Sequence, residues 1–143
     1  MAELLSTVAV KQTAVNGGKL STTELGGRVR IAHGSVTPAS AGSAGDTVKL
    51  VRLPKGARIL PVSQLHFEAG QDATLKVQVG DKDDDDRYLA ASVVGASATS
   101  INIAGNALAD TVLTEETDIV LKTSVAGLAA GKKVSFDIFY VVD

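Results

Sequence analysis

Short runs in which apolar and polar residues alternate recur along this chain, and they constrain its fold more than any other feature. In the clearest run, Ala73 to Gly80, three apolar residues alternate with Lys76 and Gln78. A period of two residues is typical of a strand with one buried face. Their spacing of about 8 to 12 residues, with turn signals between them, predicts a mostly β, antiparallel, jelly-roll-like sandwich or barrel. Comparable runs occupy residues 29–36, 47–53, 57–67, 99–103, 117–123 and 133–142.

The last run, KVSFDIFYVV from Lys133 to Val142, indicates a strand in the middle of a sheet. It contains three of the five Phe and Tyr residues of the chain, so it carries much of the bulky apolar surface. We expect its alternate positions to share one face, and these are Val134, Phe136, Ile138, Tyr140 and Val142.

Several segments between or within the runs suggest turns and irregularities. Pro54 to Ala57 predicts a turn, because Pro54 fixes φ and Gly56 permits a positive φ. Residues 38–46 are rich in Gly, Ala and Ser and predict a loop that is either mobile or covered by a neighbour. The run 47–53 is apolar on both faces, which suggests a core on one side and a partner or arm on the other. Residues 87–94 have apolar spacing close to 3.6 and suggest one or two helical turns.

The length of 143 residues suits one domain that buries a core without metals or disulfides. Residues 1–27 are rich in Ser, Thr and Gly and alternate only weakly, so we expect an extended N-terminal arm or a loose first strand there. Residues 28–143 are expected to form a single β domain. Because aromatic residues make up only 3% of the chain, its core is expected to consist of Val, Ile, Leu and Ala.

Composition and charge exclude several classes of function. A net charge of −2 offers no broad positive field, so no nucleic-acid partner is expected. No run approaches the roughly 20 apolar residues needed to cross a bilayer, so we expect a soluble protein without a membrane partner. The N-terminus lacks the basic and apolar regions of a signal peptide. Without cysteine there is no disulfide framework, thiolate nucleophile or Cys-based zinc site.

The acidic segment Asp81 to Asp86 is the most prominent candidate site. Asp81, Asp83 and Asp85 have the odd spacing that begins a calcium loop, and they are weak candidates for metal ligands. An EF-hand requires Gly at the sixth position and Glu at the twelfth, but this chain has Asp86 and Ser92 there. A solvated or interface loop, paired with basic residues of an adjacent subunit, is therefore favoured over a cation site.

No combination of residues indicates catalysis. The two histidines, His33 and His66, are interpreted separately as packed or surface residues, and no serine lies in a nucleophile motif. No glycine pattern matches a phosphate-binding loop. We therefore predict that the protein is not an enzyme and needs no cofactor.

Basic residues are spread singly along the predicted strands, which favours salt bridges at the rim of an interface over a nucleic-acid-binding stripe. With one acidic residue, they form the predicted protein-interface set: Arg28, Arg30, Arg52, Arg58, Asp84 and Arg87.

Three segments together carry a family resemblance: GRVRIAHGSV from Gly27, GDTVKLVRLPKGARILPVSQLHFEAG from Gly45 and TLKVQVGDKDDDDRYLAA from Thr74. Their order resembles that of small virion proteins of tailed phages known as capsid decoration or cement proteins. The resemblance covers a little under half of the chain and is strongest from Asp46 to Ile59 and from Leu75 to Leu89.

The resemblance implies a β domain that binds the outer surface of the phage major capsid protein lattice and stabilises the head. It implies a protein made in the host cytoplasm and located in the virion. Self-association as a homotrimer or homodimer is expected with it, since such proteins act on symmetric lattices. The alternatives are another virion component, such as a head fibre or tail protein, and a cation- or carbohydrate-binding β module.

Overall fold

The computed structural model describes residues 28–103 and 112–142, and within these ranges the chain forms strands and loops without a helix. The arm predicted for residues 1–27 lies outside the described residues. The strands, in chain order, are β1 (Arg30–Val36), β2 (Thr47–Leu53), β3 (Ala57–Ile59), β4 (Gln64–Phe67), β5 (Lys76–Gly80), β6 (Leu89–Val93), β7 (Thr99–Asn102), β8 (Thr117–Ser124) and β9 (Val134–Val142).

The strands form two antiparallel sheets that face each other. Sheet A has the order β1-β9-β4-β7, with the short β3 also paired to β9, and sheet B has the order β2-β8-β5-β6. The chain crosses repeatedly between the sheets, and its first and last described strands are neighbours. Within the described residues, this arrangement confirms the predicted mostly β, antiparallel sandwich.

Strand β9 lies inside sheet A, as its sequence predicted. It pairs with β1 along one edge, with Arg30 opposite Tyr140, and with β4 and β3 along the other. Val134, Phe136 and Ile138 are buried between the sheets. The predicted alternation weakens at the end of the strand, where Val141 is also buried.

The core lies between the two sheets and is mainly aliphatic, as predicted, although it also contains Phe67, Tyr88 and Phe136. In β5 the predicted alternation is confirmed, because Val77 and Val79 are fully buried whereas Lys76 and Gln78 are partly exposed. In β8, Ile119 and Leu121 are also fully buried. Burying one such side chain stabilises the fold by roughly 1.5–3 kcal/mol, so these strand faces hold the sheets together.

Two prolines mark the ends of strands between β2 and β4. The predicted turn after β2 is confirmed: the Ala57 N–H donates to the Pro54 carbonyl over 3.2 Å, and Gly56 has a φ of 87°. A second turn was not predicted. The Ser63 N–H donates to the Leu60 carbonyl over 3.1 Å, so this turn, which contains Pro61, splits the run 57–67 into β3 and β4.

The helical turns suggested for residues 87–94 are wrong, because Leu89–Val93 is strand β6. It pairs with β5, with Val77 opposite Ser92. A helix of one or two turns gains too few hydrogen bonds to repay its nucleation, whereas the edge of β5 offers backbone partners along its length.

A β-bulge explains why both faces of β2 carry apolar residues. The pairing of β2 with β8 shifts between Lys49 and Val51. Leu50 and Val51 can therefore both pack against the core, while Lys49 and Arg52 remain exposed. The expected partner or arm is not needed to account for this pattern.

The loop between β1 and β2 is attached to another loop of the same chain, although its residues 39–46 are exposed. The Gly42 N–H donates to the Leu128 carbonyl over 2.9 Å, and the Gly131 N–H donates to the Pro38 carbonyl over 2.8 Å. The contact is so close that a Cβ on Gly127 would lie 2.1 Å from the Gly42 carbonyl carbon. These contacts attach the loop to its own chain, and its covering by a neighbour remains a prediction.

Among the described residues, none belongs to a helix long and apolar enough to span a membrane.

Candidate functional site: a charged groove and a histidine row

The acidic loop after β5 is organised by the side chain of its first residue, Asp81. Its Oδ1 accepts hydrogen bonds from the backbone N–H groups of Asp83 and Asp84, over 3.0 and 3.1 Å. The Asp81 N–H in turn donates to the Asp84 carbonyl over 3.0 Å. Only 8% of the Asp81 side chain is exposed, so this carboxylate holds the loop together instead of facing solvent.

The other oxygen of Asp81 joins the loop to the start of β6. Its Oδ2 accepts a hydrogen bond from the Tyr88 hydroxyl over 3.3 Å. Arg87 Nε lies 2.9 Å from the same oxygen, although at an angle that makes the contact an ion pair and not an aligned hydrogen bond. Burial, followed by the negative charge of Asp81, raises the pKa of Tyr88 to about 12. The phenol therefore stays protonated as a donor at neutral pH.

The carboxylates that cluster in the loop are not the trio with odd spacing. Ligand oxygens of Asp84, Asp85 and Asp86 lie within 4.8 Å of one another and are exposed, whereas both oxygens of Asp81 are already bonded. The pKa of Asp86 is raised, first by its side-chain hydrogen bond with Asp84 and then by repulsion between the two carboxylates. Metal binding by Asp81, Asp83 and Asp85 remains a prediction.

Ion pairs cover the outer face of sheet B beside this loop. Arg52 Nε donates to Asp118 Oδ1 over 2.8 Å, and Lys49 Nζ lies 3.1 Å from Asp118 Oδ2. These two cations, Arg52 first, hold the pKa of Asp118 at about 2. Arg52 also lies 3.5 Å from Glu116, so one arginine joins β2 to both β8 and the segment before it.

The acidic loop and residues 112–118 form the walls of a groove over the outer face of sheet B. Lys82 pairs with Glu115 across it over 3.0 Å, and Lys122 pairs with Asp85 over 2.8 Å. Within the part of the chain that the structure describes, the remaining loop carboxylates have no cationic partner: Asp83, Asp84 and Asp86. The tip of the loop is therefore a concentrated negative charge.

The structure divides the predicted interface residues between two surfaces. Arg52 and Arg87 line the groove, and Asp84 lies in the loop that forms one of its walls. Arg28 and Arg30 are exposed at the start of β1, while Arg58 is half-buried in β3, opposite Val141. Since Arg30 and Ile59 both pair with Tyr140, the second group lies around one end of β9.

A row of polar side chains on the outer face of sheet A was missed by the sequence analysis. His33 Nδ1 lies 2.5 Å from Asp137 Oδ1, and His66 Nε2 lies 3.1 Å from Asp137 Oδ2. On its other side, His66 Nδ1 lies 2.8 Å from Ser100 Oγ. The row crosses four adjacent strands, β1, β9, β4 and β7. The sequence contained one indication of this row, because Asp137 is the only charged residue between Val134 and Val142.

The order Ser100, His66, Asp137 resembles that of a hydrolytic triad, but the contacts of the imidazole are reversed. In such triads the serine hydrogen-bonds Nε2 and the carboxylate hydrogen-bonds Nδ1, whereas here Ser100 is at Nδ1 and Asp137 at Nε2. Asp137 is also shared with His33, and the row lies on the face of the sheet. These contacts join strands, and they differ from the geometry that activates a nucleophile.

Apolar side chains are exposed beside the row. Val29 and Ile31, at the start of β1, are 57% and 54% exposed, and Val62, in the turn before β4, is 55% exposed. With the arginines near the end of β9, they give sheet A a surface of mixed apolar and basic character.

These features define the class of protein: an antiparallel β-sandwich with a charged groove on one sheet and a polar row on the other. No protein-family model matches the sequence, and no curated protein matches it closely.

Among solved structures, the fold is similar to a chain of the capsid of Ralstonia phage GP4, with a TM-score of 0.67 and 23% identity over 82% of this chain and 86% of that one. A chain of the cyanophage Pam1 capsid asymmetric unit gives the same TM-score and identity over 92% of this chain and 98% of that one. A chain of the acidic stable capsid structure of Helicobacter pylori bacteriophage KHP30 has a TM-score of 0.50, at 19% identity, over 80% and 94%. The chain thus has a fold found in phage capsids, which agrees with its sequence resemblance to virion proteins.

Proposed function

We propose that this protein is a phage virion structural protein, and specifically a decoration or cement protein that binds the outer surface of the major capsid protein lattice and stabilises the head. The observation that carries the proposal is the similarity in fold, over 82% and 92% of the chain, to chains of two phage capsid structures. The sequence resemblance to decoration proteins, strongest from Asp46 to Ile59, supports the finer assignment.

The surface of the sandwich supports a role in binding other subunits. The tip of the acidic loop is negative and exposed, and a basic surface on a capsid subunit would relieve the repulsion between Asp84 and Asp86. Val29 and Ile31 offer a separate apolar contact on sheet A. Several modest contacts of this kind, repeated over a symmetric lattice, bind tightly through avidity. Self-association as a dimer or trimer belongs to the same proposal.

The rival functions have less support. A carbohydrate-binding module needs exposed aromatic platforms, but all five aromatic residues lie in the described part of the chain, where Phe67, Tyr88 and Phe136 are buried and Phe139 and Tyr140 are half-buried. The similar chains belong to phage capsid structures, which favours a head component over a tail or fibre protein. We propose that the protein is not an enzyme, because the described site residues form ion pairs and cross-strand contacts.

Binding to capsids that lack this protein tests the proposal. The purified chain is mixed with such capsids and centrifuged, and the particles are then heated. We expect the chain to sediment with the capsids and to raise the temperature at which they rupture. Failure to sediment with them over a range of salt concentrations would contradict the proposed function.

The acidic tip is tested in the same assay with the variant D83N/D84N/D86N. All three side chains are exposed, so the variant should keep the wild-type circular dichroism spectrum and urea midpoint. We expect it to bind capsids more weakly, and the difference from wild type to shrink at high salt. Equal binding of a folded variant and wild type would assign the contact to another surface. As the control, E68Q neutralises an exposed carboxylate outside the groove and should bind like wild type.

A further inference from the structure

Both histidines of this chain lie beside one carboxylate, that of Asp137. His33 is in β1, His66 is in β4, and Asp137 is in β9 between them. We propose that this row is an acid-strengthened brace, which holds the edge strand β1 and the neighbouring strands of sheet A together more firmly when its imidazoles are protonated. This inference does not depend on the proposed function.

The position of β1 makes such a brace consequential. Among the described residues, β1 pairs with β9 alone, so one edge of the strand has no ladder. Its inward positions include Ala32 and Gly34, which bury little surface. Val36 packs against the core at the end of the strand, and the contact between His33 and Asp137 adds a second side-chain attachment near its middle.

The hydrogen bonds of His66 are satisfied whether its ring is neutral or charged. In the neutral ring, Nε2–H donates to Asp137 and Nδ1 accepts from the Ser100 hydroxyl. In the charged ring, Nδ1–H donates to Ser100 Oγ, because the hydroxyl can turn. His33 donates from Nδ1 to Asp137 in both states, and its side chain is 66% exposed to water. Protonation therefore breaks no contact in the row.

Charge makes the protonated row the stronger one. With neutral rings, Asp137 accepts two ordinary hydrogen bonds, whereas imidazolium donors make these bonds charge-assisted and roughly twice as strong. The contacts from His33 first, and then His66, lower the pKa of Asp137. Because this folded-state pKa is lowered, the stability that Asp137 contributes is present above the ordinary carboxyl pKa and is lost only as the pH falls through the lowered value. The brace is therefore strongest when its imidazoles are protonated and Asp137 is ionised, and it fails in acid strong enough to protonate Asp137.

Among the residues that the structure describes, no other group on this face is expected to cause the same response. Strand β7 contributes the uncharged Ser100 and Asn102, and alternation along the strands places three further charged side chains on the same side: Arg58 in β3, Glu68 after β4 and Lys133 before β9. Of the side-chain types present, histidine alone ordinarily changes charge between pH 5 and 8.

The test compares wild type with the double variant His33→Asn and His66→Gln. The Asn amide replaces the donor at Nδ1 and the Gln amide replaces the donor at Nε2, so the neutral hydrogen bonds to Asp137 are kept but neither side chain can be protonated. Melting temperatures are measured at pH 8 and pH 5.5 for the double variant and for each single variant. We expect the advantage of wild type over the double variant to grow by about 2–4 °C at pH 5.5. The same pH dependence in wild type and the variants would overturn the proposal.

Two measurements separate the brace from a general effect of charge. Asp137→Asn should lower the melting temperature more at pH 5.5 than at pH 8, whereas Asp118→Asn, on the opposite sheet, should have the same effect at both because its partners are Arg52 and Lys49. Hydrogen exchange, expressed as protection factors, should show added protection at pH 5.5 in β1 of wild type but not of the double variant. Equal effects of Asp137→Asn at the two pH values, or a gain spread over both sheets, would contradict the brace. All of these measurements use the isolated chain, so they stand whether or not it binds capsids.

Discussion

Gly80 lies where two backbone segments come too close together to leave room for a side chain. It ends β5, and the acidic loop folds back over it so closely that a Cβ would lie 2.1 Å from the Asp84 carbonyl oxygen and 2.4 Å from the Asp85 carbonyl carbon. Backbone atoms cannot rotate away as a side chain can. The alternation in the sequence identified the strand, but it held no sign of this contact, because the contact requires the loop to reverse onto its own start.

Replacing Gly80 with Ala is expected to lower the free energy of unfolding by about 2–3 kcal/mol, since overpacking forces the backbone to shift. Gly95→Ala is the matched control. Gly95 has a φ of 79° and open space around its Cβ position, so Ala there should cost only about 1 kcal/mol, from the left-handed conformation. Urea unfolding measures both. Losses of equal size would show that the loop moves away from β5 at little cost.

At the scale of elements, the acidic loop is held by one carboxylate and not by its charge as a whole. Asp81 accepts hydrogen bonds from two backbone N–H groups and from Tyr88, and it pairs with Arg87. Asp83 is exposed and offers the loop only its backbone N–H. The sequence located the loop and its first carboxylate, but it suggested the same role for Asp81 and Asp83 because their spacing is all it contains.

We predict that Asp81→Ala lowers the free energy of unfolding by about 2 kcal/mol, because it leaves a buried phenol and two N–H groups without their acceptor. Asp83→Ala should change it by less than about 0.5 kcal/mol, as expected for an exposed side chain. Chemical denaturation compares the two variants at pH 7. A loss at Asp83 as large as that at Asp81 would indicate that the charge of the loop, or a bound cation, organises it.

Strand β6 illustrates why residue spacing alone does not always distinguish a strand from a helix. Its residues are spaced in a way that also fits a helix, and the choice between the two is made by β5, whose free edge supplies backbone partners. The bulge in β2 has a similar origin. Pairing with β8 shifts there, which turns Val51 toward the core and leaves Arg52 facing Asp118.

For the whole molecule, the last strand completes sheet A. Strand β9 pairs with β1, β3 and β4, so β1 and β3 lack a ladder partner until it is in place, and the β4–β7 pair is not joined to them. The pairing of Arg30 with Tyr140 brings together residues that are far apart in the chain. Pairing between residues that are far apart in the sequence is typical of proteins that fold slowly.

Deleting residues 134–142 is therefore expected to abolish cooperative unfolding, as followed by circular dichroism during heating. The matched control is deletion of residues 1–13, which lie in the predicted arm, and this should leave a cooperative transition near that of wild type. If the chain without β9 still unfolded cooperatively, sheet B would have to be stable by itself. If the N-terminal deletion removed the transition, the predicted division into an arm and a domain at residue 28 would be wrong.

The sequence by itself determined the positions of most strands, the turn at Pro54, the central place of β9 and the mainly aliphatic core. These features depend on the alternation of side chains along a strand and on the conformations open to Pro and Gly, and both are local properties. Tertiary structure alone decided strand pairing, the bulge in β2, the strand at β6 and the grouping of Arg52 and Arg87 around one groove. It also decided the row of His33, Asp137 and His66, whose members are separated by 104 and 71 positions in the chain. Contacts over such distances follow from the register of neighbouring strands, which no local pattern contains.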